Sequence, residues 1–408
     1  MSRGWVRLQA VAVSGSVAEG LLTTVLPLVA VTITVDPREV ALVNVVGQLP
    51  WLLFSLFAGV LIDRVRRTVV LAVAFVVQAC VALVLGVAAT TGALSLPLLL
   101  VVAFAVTSGQ VLGDGASGAL VPEVVPAERY AAANARLIVI DRGVVQFVVP
   151  PLAGLLVVWG FGVPVWLALA AALGAVLLTR GLSSAEVTPS TRHPLRDIGE
   201  GLRFLVGTRL LLSITLAVAL GSFAASAGMS MFVLYAQRIL GLGPFGYGVL
   251  LGCMALGWVG ASFVVNQVVA RIGYAWSMRV AQVGMVVFPA LLAGLPPWPW
   301  AVGVVLFALS AIVMLWNVCS QSSRQRFTPA ALLGRVLTSH RALAWGLTPL
   351  GALAGGLVAA HLSLRWVWVM GAAVQVGALV VTWIGLAPDR FAAAERVAAG
   401  RVTPTAGG

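Results

Sequence analysis

The sequence predicts an all-α membrane protein with twelve transmembrane helices arranged as two pseudo-symmetric six-helix bundles. The first observation behind this is composition: the 408-residue chain is 61% hydrophobic and 9% charged, with a mean hydropathy of +1.06. Soluble domains are about 45–50% apolar and about 25% charged. The second observation is a series of long apolar runs. The third is a polar stretch near the midpoint that separates six runs from six.

The apolar runs have the length of membrane-spanning helices. A hydrocarbon core about 30 Å thick is crossed by about 20 apolar residues in a helix. The runs are continuously apolar, whereas the strands of a membrane barrel alternate between apolar and polar residues. We therefore predict helices at 8–32, 40–62, 68–90, 96–121, 131–158, 163–180, 209–235, 244–270, 277–295, 299–322, 335–360 and 364–387.

The polar stretch defines the domain organisation. The predicted segments are an N-terminal bundle, a cytoplasmic linker, a C-terminal bundle and a disordered cytoplasmic tail, at 1–180, 181–208, 209–388 and 389–408. The two halves also repeat, because Pro126 and Pro329 are separated by 203 positions, as are Gly143 and Gly346. Parallel repeats of this kind are one architecture of membrane transporters.

Arginine positions predict the orientation of the chain. All 25 basic residues are Arg, and 21 of them lie in segments or helix ends on the side that holds both termini. The opposite loops hold three, Arg38, Arg238 and Arg365. Cytoplasmic loops carry the excess of basic residues in membrane proteins. Both termini are therefore expected in the cytoplasm.

Composition also excludes several classes of function. A chain this apolar is not a soluble enzyme, a nucleic-acid binder or a disordered protein. The net charge of +12 and pI of about 11.3 come without a basic patch or an aromatic platform for nucleic acid. We predict no metal site and no disulfide framework because the Cys and His residues are scattered, at Cys80, Cys253, Cys319, His193, His340 and His361. With no Lys in the chain, the lysine of an ATP-binding phosphate loop is missing, so transport driven directly by ATP is not expected. We also expect no enzymatic activity and no cofactor.

One motif carries a family resemblance. Residues 59–67 read Gly-Val-Leu-Ile-Asp-Arg-Val-Arg-Arg, which resembles the cytoplasmic signature of the major facilitator superfamily. The matching residues that we assign to a conformational switch are Gly59, Asp63, Arg64 and Arg67. A charge network that forms in one state and breaks in another would bias an equilibrium between two conformations. The alternative is a topological anchor that only obeys the positive-inside rule.

Two further segments narrow the resemblance. Two hairpins look like those of the macrolide-efflux and enterobactin-exporter group. The first comprises residues 118–126, followed by Ala133 and Asn134, and the second comprises residues 324–329, followed by 333–336. Residues 151–154 look like the end of an antiporter signature.

The resemblance implies a monomeric multi-pass transporter of the bacterial plasma (inner) membrane that works by alternating access. It would export a drug or a self-made antibiotic by proton antiport, as in multidrug resistance, with the proton gradient in place of a cofactor. The alternatives are a siderophore exporter or a proton symporter for uptake with the same fold. Expected partners are an amphipathic or cationic small molecule and the lipid bilayer, and no nucleic acid.

Three carboxylates and one Arg fall inside predicted helices: Glu19, Asp114, Asp141 and Arg142. A charge at the centre of a membrane helix costs about 2.5–3.5 kcal/mol on the insertion scale, so each residue is a candidate for proton coupling. Glu19 lies roughly 16 Å along the first helix, near the middle of the bilayer. A carboxylate removed from water favours its protonated form. Glu19 is therefore expected to couple protons, to make a structural hydrogen bond or to contact substrate.

Helices four and five are expected to form a hairpin near Pro126. Asp114 and Arg142 would then differ in depth by only about 5 Å, which predicts an ion pair between them. Asp141 would face the cavity or helix eight. The pair is either functional or purely structural. Three carboxylates against one Arg leave an excess of negative charge that suits protons, a cationic substrate or each in turn.

The second half offers uncharged cavity residues. Ser222 and Ser226 lie one turn apart on helix seven, and Asn317 and Gln321 lie one turn apart on helix ten. Trp345 is an aromatic residue on which a ligand could stack. Hydrogen bonds between helices explain the polar residues equally well, and packing explains the Trp.

Overall fold

The computed structural model describes residues 3–62, 65–126, 133, 136–137, 139–141, 143–182, 194–329, 332–387, 389 and 391–392, with backbone alone for 55–62, 122, 194–198, 333–334 and 338. This part of the chain is helical apart from short turns. A backbone in hydrocarbon must satisfy its own hydrogen bonds, and a helix does so within one segment. The predicted tail, 389–408, lies outside the described residues except at 389, 391 and 392.

The first half contains six membrane-length helices. In chain order these are α1 Arg3–Ile33, α2 Pro37–Ile62, α3 Arg67–Thr91, α4 Leu96–Val124, α5 Val139–Trp159 and α6 Gly162–Thr179. The central segment of α5, Gly143–Val148, is a π-helical turn. Helix α1 begins five residues before the predicted run, because Arg3 and Arg7 extend it beyond the apolar stretch that hydropathy detects.

The second half begins with a short helix and continues with six of membrane length. These are α7 Pro194–Gly207, α8 Arg209–Ile239, α9 at 244–272, α10 at 274–294, α11 Pro299–Phe327, α12 Arg335–His361 and α13 Leu364–Gly385. Together with the first six, the membrane-length helices of the described residues number twelve. The predicted all-α fold with two sets of six membrane helices is confirmed.

Two helix boundaries differ from the sequence prediction. The break between α9 and α10 was predicted to span 271–276, but it is confined to Gly273, whose φ of 74° lies in the left-handed region that glycine tolerates. Helix α12 was predicted to be continuous, but it is interrupted at Leu347, just before Pro349. Proline removes a backbone donor and disfavours an uninterrupted helix.

Helix α7 was not predicted, because it lies in the polar linker. It is amphipathic: Gly201 and Leu205, one turn apart, are buried, with Leu205 in the core of the second half, while Arg203 on the opposite side is exposed. Gly201 lies against the backbone of Arg335 on α12, and Glu200 pairs with the Arg335 guanidinium. Mean hydropathy along the chain does not detect such a helix. The 3.6-residue periodicity of its apolar residues is the signal that could have predicted it.

The chain packs as two compact units. One comprises Met1–Arg192 and Ser230–Gly252, and the other comprises His193–Met229 and Cys253–Gly408. The predicted bundle boundaries at 180 and 209 stay a prediction. Within the first unit, α1 is central and packs on α4, α5 and α6, with Leu21, Leu22 and Val25 fully buried.

Glycines let helices of the second unit approach closely. Gly351 and Gly355, one turn apart on α12, face Phe223 and Ala227, one turn apart on α8. A Cβ atom on Gly351 would lie 2.2 Å from the carbonyl oxygen of Phe223, and one on Gly355 would lie 2.6 Å from that of Ala227. This is the small-xxx-small packing that dispersion favours between membrane helices.

The Gly351→Ala substitution should therefore destabilise the second unit. The added methyl group meets backbone rather than a mobile side chain, and overpacking of this kind costs about 1–3 kcal/mol. The measurement is thermal unfolding of purified protein in detergent. The matched control is Gly377→Ala on α13, where the new Cβ would lie 3.9 Å from Leu220, at ordinary contact distance. Equal melting temperatures for the two variants would contradict the packing assigned here.

Candidate functional site

The buried carboxylate of helix α1 has a defined partner. Glu19 is 7% exposed, and the Nε2 atom of Gln110 on α4 donates a hydrogen bond of 2.5 Å to its Oε1 atom. A carboxylate buried among apolar residues is tolerated only when donors replace the water it has lost. The packing of α1 on α4 brings Gln110 to Glu19 as that donor.

Helix α1 also contacts the acidic residue of α5. The hydroxyl of Ser16 donates to Oδ1 of Asp141 over 3.3 Å. Ser16 and Glu19 are three residues apart, so they lie on one face of α1. The structure therefore brings two predicted coupling residues, Glu19 and Asp141, to one short stretch of α1, where the sequence had left Asp141 to the cavity or helix eight.

A glycine permits this approach of α5 to α1. A Cβ atom on Gly20 would lie 3.0 Å from Cβ of Val149 and 3.2 Å from Cα of Val145. Both valines follow Asp141 on α5, and Val145 lies in the π-helical turn Gly143–Val148. Turns of this kind contain an extra residue and occur frequently at functional sites. Close packing at Gly20 holds this irregular segment against α1.

Asp114 is exposed and lies one turn after Gln110 on α4. Its predicted partner, Arg142, lies outside the described residues. The Asp114–Arg142 pair therefore stays a prediction. Asp114 still belongs to the face of α4 that carries Gln110, because residues four apart share a helix face.

At the cytoplasmic end predicted for α3, Arg67 of the signature motif is paired. Its Nη1 atom lies 2.6 Å from Oε1 of Glu123 on α4 and also donates to the carbonyl oxygen of Ala119 over 3.0 Å. Of the other motif residues, Gly59 is part of α2, and Asp63 and Arg64 lie outside the described residues. Glu123 was not predicted, although it is the one acidic residue in the final turn of α4.

Two of the polar residues predicted for a cavity in the second half, Ser226 and Asn317, have hydrogen-bond partners in the structure. The hydroxyl of Ser226 donates to the carbonyl oxygen of Thr348 on α12 over 2.7 Å, which is a bond between helices. The Nδ2 atom of Asn317 donates to Val313 on its own helix over 3.0 Å. Ser222 is half-buried and Gln321 is exposed. Their roles at substrate stay predictions.

Trp345 is exposed, and the guanidinium carbon of Arg341 lies 5.9 Å from its ring centroid. This contact is a cation–π interaction between residues four apart on α12. Stacking of a ligand on Trp345 stays a prediction.

Sequence reasoning missed two polar contacts of the second unit. Thr215 Oγ1 and His340 Nδ1 are 2.9 Å apart, joining α8 to α12. The guanidinium of Arg279 on α10 lies over the rings of Trp276 and Trp383, at 5.3 and 4.7 Å from their centroids. The contacts of Thr215 with His340 and of Arg279 with Trp383 have no signal in the sequence, because their partners are more than 100 residues apart. The contact of Arg279 with Trp276 could have been found from their three-residue spacing on one helix.

Twelve membrane helices in two sets of six, with the carboxylate of Glu19 buried in the first set, are typical of a membrane transporter. The sequence profile of the transmembrane secretion effector family, a family of the major facilitator superfamily, matches residues 15–399. The chain therefore belongs to that family. Comparison with curated proteins finds no match.

Solved structures show the same fold. A bacterial homologue of the iron transporter ferroportin, in an inward-facing state, has a TM-score of 0.78 at 16% identity, covering 94% of this chain and 99% of that one. The nucleoside transporter NupG has a TM-score of 0.71 at 15% identity, covering 94% and 99%. A bacterial homologue of the lysosomal transporter Spinster has a TM-score of 0.66 at 15% identity, covering 98% of each chain.

The Arg67–Glu123 pair should stabilise the contact between α3 and α4. Because both groups are partly shielded from water, we expect a coupling energy of about 1 kcal/mol in a double-mutant cycle of Arg67→Gln and Glu123→Gln. The measurement is the free energy of unfolding in detergent. Arg180→Gln, which removes an exposed charge from the end of α6, is the control and should change little. Additive effects of the two substitutions would show that the pair contributes nothing.

Proposed function

We propose that this protein exports a small organic molecule, either a drug or a self-made antibiotic, by proton antiport with alternating access. It would do so as a monomer in a bacterial plasma membrane, with both termini in the cytoplasm and with the proton gradient in place of any cofactor. The description of its family as secretion effectors supports the outward direction. Fold and family point to transport rather than to enzymatic chemistry.

The observation that carries the proposal is the contact between Glu19 and Gln110. The amide nitrogen of Gln110 donates a hydrogen bond to Oε1 of Glu19, an arrangement that suits an ionised carboxylate. A protonated Glu19 becomes a hydrogen-bond donor, and the amide oxygen of Gln110 could accept that hydrogen bond. One partner therefore stabilises both protonation states, which is what a residue that takes up and releases protons needs.

Asp141 has the same kind of partner. The hydroxyl of Ser16 donates to it in the structure, and a hydroxyl can also accept. Neutralising either carboxylate with a proton would weaken its attraction for a cationic or amphipathic cargo. Proton entry would then release cargo, and cargo binding would release protons, which is the exchange that antiport requires.

The Glu19→Gln variant should lose proton-driven export while retaining its fold. A glutamine keeps a hydrogen bond to Gln110 but cannot titrate at this position. Ethidium serves as the cargo in proteoliposomes with an imposed proton gradient, and gradient-driven ethidium transport should fall to that of empty vesicles. Exchange of ethidium for ethidium without a gradient should persist, because it needs no proton.

The matched control is Glu39→Gln, which removes an acid from the first turn of α2 rather than from the middle of a helix. It should transport normally. Asp141→Asn is measured in parallel. If Glu19→Gln and Asp141→Asn both keep full gradient-driven transport, proton antiport through these carboxylates is wrong.

Cargo binding should also release protons. In weakly buffered detergent, we expect ethidium to acidify the solution as it binds the wild-type protein, since a positive charge favours ionised carboxylates. The Glu19→Gln variant should bind ethidium with less proton release. A siderophore exporter or an uptake symporter predicts a different result: no release with ethidium, or proton uptake on binding of a cargo such as enterobactin.

A further inference from the structure

The membrane-spanning part of the second half contains no acidic residues. Between residues 201 and 388 the sequence contains no Asp or Glu, but it contains ten Arg. A guanidinium in this segment therefore has no carboxylate from the same segment to pair with. Arg335 instead forms an ion pair with Glu200, which lies just before the segment.

Two of these arginines lie near each other and near a buried histidine. Arg324 is in the last turn of α11, and His340 and Arg341 are consecutive on α12. Each Arg interacts electrostatically with His340, and the two interact with each other. His340 is 7% exposed and bonded to Thr215, which fixes the position of this part of α12.

The donors of the two guanidiniums are only partly used. Arg324 donates through Nη1 to Ser320 over 2.7 Å, while its Nε atom is buried without a hydrogen-bond partner. Arg341 is exposed and lies over Trp345. A buried donor without an acceptor is costly, and the cost is higher when the group is charged. Among the described residues, no acidic side chain is paired with Arg324 or Arg341.

Two like charges at one place repel each other unless an anion lies near both. The guanidinium group presents planar pairs of N–H donors that match the two oxygens of a carboxylate or a phosphate. Such a group would supply the missing acceptor for Arg324 and reduce its repulsion with Arg341.

We propose that Arg324 and Arg341 bind an anionic group, a carboxylate or a phosphate monoester, of the transported molecule. The inference rests on the proposed function and adds a second recognition site, which would bind the anionic group of those cargo molecules that carry one. The same chemistry is present in the headgroup of an anionic phospholipid, and the experiment separates the two sources.

The test is the equilibrium binding of benzoate, benzamide and benzylammonium to the purified full-length protein in neutral detergent at low salt. The three probes share a ring and differ in charge. Benzoate should bind at least about tenfold more tightly than benzamide, as expected for hydrogen bonds to a charged group. Benzylammonium should bind no better than benzamide at this site. Equal affinity for benzoate and benzamide would overturn the proposal.

Variants assign the site. Arg324→Gln and Arg341→Gln should each weaken benzoate binding by about tenfold, and Arg341→Lys should restore part of it, because it keeps the charge but not the paired donors. Arg326→Gln removes the same charge two residues from Arg324 and should leave the affinity nearly unchanged. If Arg324→Gln does not fold, the exposed Arg341 still provides the test. Equal loss in all three Gln variants would indicate general charge attraction and would contradict the site.

Nanodiscs separate cargo from lipid. Benzoate binding should be the same in phosphatidylcholine alone and with phosphatidylglycerol added, whereas competition by phosphatidylglycerol would assign the site to lipid and overturn the proposal. Proton-driven ethidium export in the same variants distinguishes the two proposals. If the wild-type protein exports ethidium but does not bind benzoate, only the anion site is contradicted. If it binds benzoate but does not export ethidium, only proton antiport is contradicted.

Discussion

Hydrocarbon offers no hydrogen bonds, and the rest of this structure depends on that constraint. Every backbone group must be satisfied within its own helix, which makes the described chain helical. Every polar side chain in a helix must find a partner on the same or a neighbouring helix. Glu19 finds Gln110, Asp141 finds Ser16, and His340 finds Thr215. Polar contacts therefore join specific helix pairs and also place the groups that can carry protons.

Glycine provides the second means of joining helices, because apolar side chains gain nothing from leaving lipid for a neighbouring helix. Gly154 of α5 lies against Pro244, and Gly248 of α9 lies against Pro150, in both cases at a distance that no side chain would allow. On α12, Gly351 and Gly355 do the same against α8. In both units, small residues therefore let helix backbones touch.

The halves share a fold but differ in the charges that their helices carry. Glu19 and Asp114 correspond, at the repeat distance of 203, to Ser222 and Asn317. The first half thus keeps carboxylates where the second has neutral polar residues, and the second half carries Arg324 and Arg341 in a segment, 201–388, that contains no acidic residue. This divergence agrees with the separate proton and anion sites proposed above.

The sequence by itself determined the twelve helices, their grouping in two sixes and the buried position of Glu19, since each depends on hydropathy and length along one helix. Mean hydropathy could not predict α7 or the single-residue break at Gly273, because amphipathic periodicity and a local φ angle do not alter it. Only the tertiary structure decided that Gln110 faces Glu19, that Glu123 pairs with Arg67 and that Ser226 bonds α12. Those contacts depend on how helices rotate about their axes, which is set by the packing of several helices at once.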